Sequence, residues 1–233
     1  MPKKKTVLRV NGRQHELVLD PNVSLLQALR DLGYTDVKNG CEIGECGACA
    51  VLLDGTAVNS CMVLAWQANG AEIVTNAGLG TLDKPHPIQE AFADVGAVQC
   101  GYCTPGMVIS TKALLDRIPN PSESEIREAL SGNLCRCTGY GQIIEAVQLA
   151  ASRLQAERLA VAAVRSLQES GEASHRGECG DDGSRSPSGP GAAAGAVAGS
   201  RPLTGENVAP PPAALTGEAA PRDQLLRRGG ERR

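Results

Sequence analysis

The stretch "NGCEIGECGACAVLLDG", Asn39 to Gly55, cannot be a regular helix or strand. Three cysteines, Cys41, Cys46 and Cys49, fall within nine residues and are interleaved with Gly40, Gly44 and Gly47. Glycine opens backbone conformations that other residues avoid, so the chain here can curl tightly and present three thiols to one small volume. Cys61 follows, which completes the spacing C-x4-C-x2-C-x11-C. Four sulfur donors brought together in this way need an object that takes four of them.

The spacing is that of a plant-type [2Fe-2S] site. Two irons and two bridging sulfides require four thiolates, three of which one loop can supply. Backbone N–H groups freed by the glycines can point at the sulfurs, where hydrogen bonds raise the reduction potential. Zinc also takes four cysteines, but it receives them as two C-x2-4-C pairs, which this loop does not resemble. A second set comprises Cys100, Cys103, Cys135 and Cys137, in "VQCGYCTPGM" and "GNLCRCTGY". Its spacing is C-x2-C-x31-C-x-C, and both pairs precede expected helices. Helix N-termini carry unsatisfied N–H groups and partial positive charge, which suit anionic thiolates. On spacing alone zinc stays an alternative for this set, while the neighbouring first set favours a second iron–sulfur cluster. Cys179, in "RGECGDD", belongs to neither set and reads as an incidental exposed thiol. His15, His86 and His175 are scattered, and no Walker, G-x-S-x-G or G-x-G-x-x-G pattern occurs.

The rest of the chain limits the alternatives. A net charge of −3 in 233 residues provides no broad positive field for nucleic acid. Three lysines near the start precede "TVLRVNG", where Arg9, Asn11 and Gly12 break any signal-peptide core, and no run is long enough to span a membrane. A cytoplasmic location is expected, where thiols stay reduced. Nine cysteines, an odd number, then argue for cofactor binding rather than disulfides.

Patterning divides the chain into three parts. In residues 1–78, "TVLRV" and "QHELVLD" flank Asn11-Gly12, and "ACAVLLDGTAV" turns at Asp54-Gly55; both are hairpin signals. Ser24 caps "LLQALRDLG", and "AEIVTN" adds a strand. Residues 79–170 read as four helices: Ile88 to Val95, one beginning at Pro105, one capped by Ser122 and Glu125, and one from near Tyr140 to about Gln168, before Gly171. Residues 171–233, rich in Ala, Gly, Pro, Ser and Arg, hold no aromatic residue and are expected to be disordered, because too little apolar surface offsets the ordering entropy.

"GCEIGECGACAVLLDG", "NSC", "VQCGYCTPGM" and "GNLCRCTGY", over roughly residues 5 to 157, resemble the iron–sulfur subunit of the molybdenum hydroxylases, the xanthine dehydrogenase and aldehyde oxidase family. The resemblance implies an α+β fold: an N-terminal β-grasp ferredoxin-like domain, then a four-helix-bundle [2Fe-2S] domain. It implies two [2Fe-2S] clusters, the first on Cys41, Cys46, Cys49 and Cys61 and the second on Cys100, Cys103, Cys135 and Cys137, and so settles the zinc question. The family further implies partners: a molybdopterin-binding large subunit beside the second cluster and an FAD-binding medium subunit toward the first. Gln99 matches the glutamine that hydrogen-bonds the pterin, and Cys137 the ligand nearest it. Electrons would run from molybdenum through both clusters to flavin, and the chain itself would hold no substrate site. Its motifs look most like xanthine dehydrogenase, with aldehyde, carbon monoxide and aromatic hydroxylases, or a free two-cluster carrier, as alternatives. The tail departs from the family pattern.

Overall fold

A computed structural model describes residues 2–174, with side chains through 165. Strands β1 (Lys4–Val10) and β2 (Arg13–Leu19) pair antiparallel. The turn between them places Asn11 at φ 51° and Gly12 at φ 76°. A turn with both central residues at positive φ matches the twist of the flanking strands, which is why Asn-Gly works there. The same chemistry joins β3 (Ala50–Leu53) to β4 (Thr56–Asn59) through Asp54 at 47° and Gly55 at 82°. Strand β5 (Glu72–Val74) runs parallel to β1 and antiparallel to β3, giving the order β2-β1-β5-β3-β4.

Helix α1 (Leu25–Asp31) covers this sheet. The Ser24 hydroxyl accepts from the Gln27 N–H at 3.2 Å, and Leu25, Leu26, Ala28 and Leu29 are buried against Leu8, Val10, Val51 and Ile73. Two 3-10 turns, Ser60–Met62 and Ala65–Ala68, and a four-residue helix α2 (Asn76–Leu79) carry the chain out of the sheet half. They are too short to leave a periodic signal in the sequence.

Four longer helices follow: α3 (Pro87–Asp94), α4 (Thr104–Arg117), α5 (Glu123–Ala129) and α6 (Gly141–Ser174). The Ser122–Glu125 capping box forms as expected, with the Ser122 N–H donating to the Glu125 carboxylate at 2.7 Å. Helix α4 is apolar on more than one face, the mark of a helix enclosed by protein. Met107, Val108, Leu114 and Leu115 pack with Phe92, Ile126, Ile143 and Val147, while Ile109, wholly buried, packs on Ala50 and Leu52 of β3. One helix therefore packs both in the helical core and on β3 of the sheet, and the described residues lie within one compact unit.

Helix α6 does not stop before Gly171 but continues to Ser174. Its flanking residues, Leu167 to Glu169 and Glu172 to Ala173, are good helix formers, and a single interior glycine costs a helix only about 1 kcal/mol. The rest of the tail, with His175 and Cys179, lies outside the described residues. The last buried residue of the described core is Ala151. A chain ending at Ser174 is therefore expected to unfold thermally within about 3 °C of the full chain, measured by circular dichroism. A larger fall would give the tail a part in stability.

Candidate metal centres

The loop from Val37 to Cys49 descends from α1 to β3 as irregular backbone. Cys41 is half-buried, and its thiol is brought down to about 6, first by the Ile43 N–H, at 3.5 Å from Sγ, and then by the N–H groups of Cys46 and Glu45. Cys46 shares a side-chain hydrogen bond with Cys41. Gly40 makes room for this pair, since a Cβ there would sit 2.8 Å from the Cys46 sulfur. Cys49, 2% exposed, belongs to the sheet core at the edge of β3. It shares a hydrogen bond with Cys61 on the first 3-10 turn, whose thiol is pushed up to about 11, first by burial and then by the Cys49 partner. The first set thus stands as two contacting pairs, 41 with 46 and 49 with 61.

The second set has the same organisation. Cys103, at the N-cap of α4, contacts Cys135, and Cys100 contacts Cys137. Burial, followed by the shared hydrogen bond, raises Cys103 to about 12. Burial also acts to raise Cys135, but the Thr138 hydroxyl, 3.1 Å from its sulfur, and the Thr138 and Cys137 N–H groups outweigh it and bring the thiol to about 7. Cys137 is raised, chiefly by its hydrogen bond with Cys100. Cys100 and Cys137 are exposed, as is Gln99 immediately before them.

All eight cysteines expected to act as ligands are free thiols, and the fold collects them into the two expected sets. Among the described residues no three His, Cys, Asp or Glu side chains converge as donors for one ion. Two pairs of thiols per set are instead the donor pattern of a two-iron unit, two sulfurs to each iron. The thiols depressed to about 6 and 7 each accept two or more backbone N–H groups, and such donors stabilise a thiolate.

The two sets are joined through the backbone. The Leu134 N–H donates to the Cys46 carbonyl at 2.9 Å, which links one thiol-bearing residue to the neighbour of another, Cys135. The Tyr102 hydroxyl donates to the Asn39 carbonyl at 2.5 Å. Asn133, Ser110 and Tyr140 complete this junction, and the spacing of the cysteines gave no sign of them. The available signal was an asparagine, a poor core residue, only two positions before Cys135.

Comparison with known proteins agrees with this geometry. A 2Fe-2S iron-sulfur cluster binding domain matches residues 8–75 and a [2Fe-2S] binding domain matches residues 75–148. The chain is 51% identical over 147 residues to the nicotinate dehydrogenase small FeS subunit of Eubacterium barkeri, covering 63% of this chain and 94% of that one. It belongs to the iron–sulfur subunit family of the molybdenum hydroxylases. The xanthine dehydrogenase iron-sulfur-binding subunit of Escherichia coli O157:H7 is 48% identical over 143 residues, or 59% of this chain and 88% of that one. Among solved structures, quinoline 2-oxidoreductase from Pseudomonas putida 86 aligns with a TM-score of 0.62 at 41% identity, over 65% of this chain and 96% of that one. This iron–sulfur subunit is therefore an oxidoreductase component with two [2Fe-2S] clusters, made to pass electrons within a larger enzyme. Identities of 51% and 48% do not single out xanthine among the substrates of its relatives.

Proposed function

We infer that this subunit relays single electrons from a molybdopterin centre in a large partner, through its helical-half cluster and then its sheet-half cluster, to FAD in a medium partner. Cys100, Cys103, Cys135 and Cys137 hold the first of these clusters, and Cys41, Cys46, Cys49 and Cys61 the second. The thiol contacts support a division in which Cys41 and Cys46 would share one iron and Cys49 and Cys61 the other; in the second set the pairs would be Cys100 with Cys137 and Cys103 with Cys135. The sheet half reads as a β-grasp ferredoxin-like domain and the four helices as a bundle.

The observation that carries the reading is the pairing of four thiols in each of two sets that meet through one backbone hydrogen bond. Electron entry at the helical half is supported by the exposed Gln99, Cys100 and Cys137, the edge that a pterin could approach. Exit at the sheet half is supported by Cys41, whose loop presents the exposed Ile43. Free thiols suit a reducing cytoplasm, and among the described residues no helix is long and apolar enough to cross a membrane. The chain's own work is to hold the irons, donate N–H groups to sulfur and limit water, which are the protein's levers on potential.

Purification from the native source tests this. The expected result is brown protein with about four irons per chain, accompanied by a large and a medium subunit in fixed ratio. Brown protein recovered alone would establish the free carrier instead, and colourless protein holding zinc would overturn the reading. Substituting Gln99→Ala is expected to leave both [2Fe-2S] signals in low-temperature electron paramagnetic resonance (EPR) intact. It should slow molybdenum-to-iron transfer roughly 10-fold, the scale of losing an outer-shell contact. An unchanged rate would remove Gln99 from the pterin contact.

A further inference from the structure

Asn133 is 4% exposed and lies two residues before Cys135. Its amide is used at both ends. The nitrogen donates to the Gly47 carbonyl at 3.2 Å, and the oxygen accepts from the Ser110 hydroxyl at 2.7 Å. Gly47 lies between Cys46 and Cys49, so this bond reaches from the loop of one cluster into the loop of the other. The contact is close on every side. A Cβ on Gly47 would stand 2.4 Å from the Gly132 carbonyl and 2.5 Å from Asn133 Nδ2, and one on Gly106 would stand 2.2 Å from the Gly47 carbonyl.

The backbone of Asn133 acts in the same junction. Its carbonyl accepts from the Tyr140 hydroxyl at 2.8 Å, and that hydroxyl accepts from the Cys135 N–H at 2.9 Å. One residue thus fixes Gly47 with its side chain and the start of the Cys135–Cys137 loop with its main chain. The site demands one N–H donor and one acceptor in a dry place. Aspartate lacks the donor and leucine lacks both.

We propose that Asn133 is the positioning residue for electron transfer between the two clusters, setting the separation and relative orientation of the two ligand loops. This rests on the assignment of both thiol sets as clusters. In the step concerned, one electron leaves the reduced helical-half cluster and reaches the oxidised sheet-half cluster. No bond breaks and no further reactant enters. Asn133 acts through Gly47 and the backbone before Cys135. Loosening it changes the coupling between the clusters while the eight thiols stay in place.

The test uses the intact assembly with Asn133→Asp, which keeps the acceptor for Ser110 and loses the donor to Gly47, and with Ser110→Ala. The readouts are iron content, the spin–spin splitting of the two reduced clusters in EPR, and the intercluster rate after rapid partial reduction. Wild type should show both signals and their mutual splitting; a missing signal would overturn the cluster assignment itself. The expected result for Asn133→Asp is full iron, diminished splitting and a rate lowered roughly 10-fold or more. Ser110→Ala should lie between it and wild type. Fully loaded Asn133→Asp with wild-type splitting and rate overturns the role of Asn133 and leaves the clusters standing. Should Asn133→Asp fail to load iron, Ser110→Ala decides by the same two readouts, and wild-type values again overturn the proposal.

Discussion

Gly106→Ala is expected to destabilise the protein by about 2 kcal/mol or more, against the usual direction for such a change. Glycine inside a helix ordinarily costs about 1 kcal/mol relative to alanine, and α4 should gain that amount. The gain is outweighed here. The new methyl would lie 2.2 Å from the Gly47 carbonyl oxygen and 3.2 Å from Asn133 Nδ2. That oxygen cannot swing aside, because it accepts from Asn133 Nδ2 and from the Ala50 N–H at 3.1 Å. Relief requires α4 to move away from the first cysteine loop, which pulls Ile109 from Ala50 and Leu52. Overpacking of this kind costs typically 1–3 kcal/mol where side chains can yield, and backbone yields less. Gly47→Ala should act in the same direction and further, since Gly47 sits at φ +68°, which adds about 1–2 kcal/mol of strain for any L-residue with a Cβ. Gly141→Ala is the control. Nothing lies within 4 Å of its would-be Cβ at the start of α6, so it should be neutral or stabilising. Denaturant midpoints followed by cluster absorbance and circular dichroism give all three values. A Gly106→Ala protein as stable as wild type would show that the two loops are not wedged together.

Much of this was legible in the sequence, because cluster ligation and tight turns are local demands. Three thiols within nine residues leave the chain few conformations, and Asn11-Gly12 and Asp54-Gly55 each specify a turn by backbone sterics alone. The Ser122–Glu125 cap is equally local. What could not be read are contacts between residues distant in the chain. Asn11 looks like a turn residue and nothing more, yet its amide oxygen accepts from the Thr75 N–H at 2.9 Å and its nitrogen donates to the Thr75 hydroxyl at 3.0 Å. Asn133 looks like a spacer within "GNLCRC". Ile109 looks like one more core position of α4, and only the structure shows that it packs on Ala50 and Leu52 of β3 instead. The extension of α6 beyond Gly171 is not legible for a different reason: composition weighs a window, whereas a helix already begun is lengthened by one favourable residue at a time.

Cys137→Ser is expected to abolish the helical-half cluster while sparing the fold, and Cys49→Ser to damage both cluster and fold in the sheet half. Either change replaces a thiol by a hydroxyl that holds its proton far more tightly and offers iron a harder, weaker donor, so one set loses its fourth thiolate. The difference lies in what surrounds each residue. Cys137 is exposed and ends no core. Its loss should lower iron from about four to about two per chain, remove one of two EPR signals and shift the denaturation midpoint only by the cluster's own share of stability. Cys49 is 2% exposed and packs with Leu8, Val51 and Ile73, so the serine adds a buried hydroxyl, a cost of about 1–3 kcal/mol if it finds no partner. The order of electron flow separates the two variants further. With Cys137→Ser, reduction from the molybdenum side should reach neither cluster, because the first acceptor is gone. With Cys49→Ser, the helical-half cluster should still be reduced and then hold its electron, with flavin reduction lost. Rapid-freeze EPR of the assembly reads both outcomes. A Cys137→Ser enzyme that still reduces its sheet-half cluster at the wild-type rate would reverse the direction assigned to the relay.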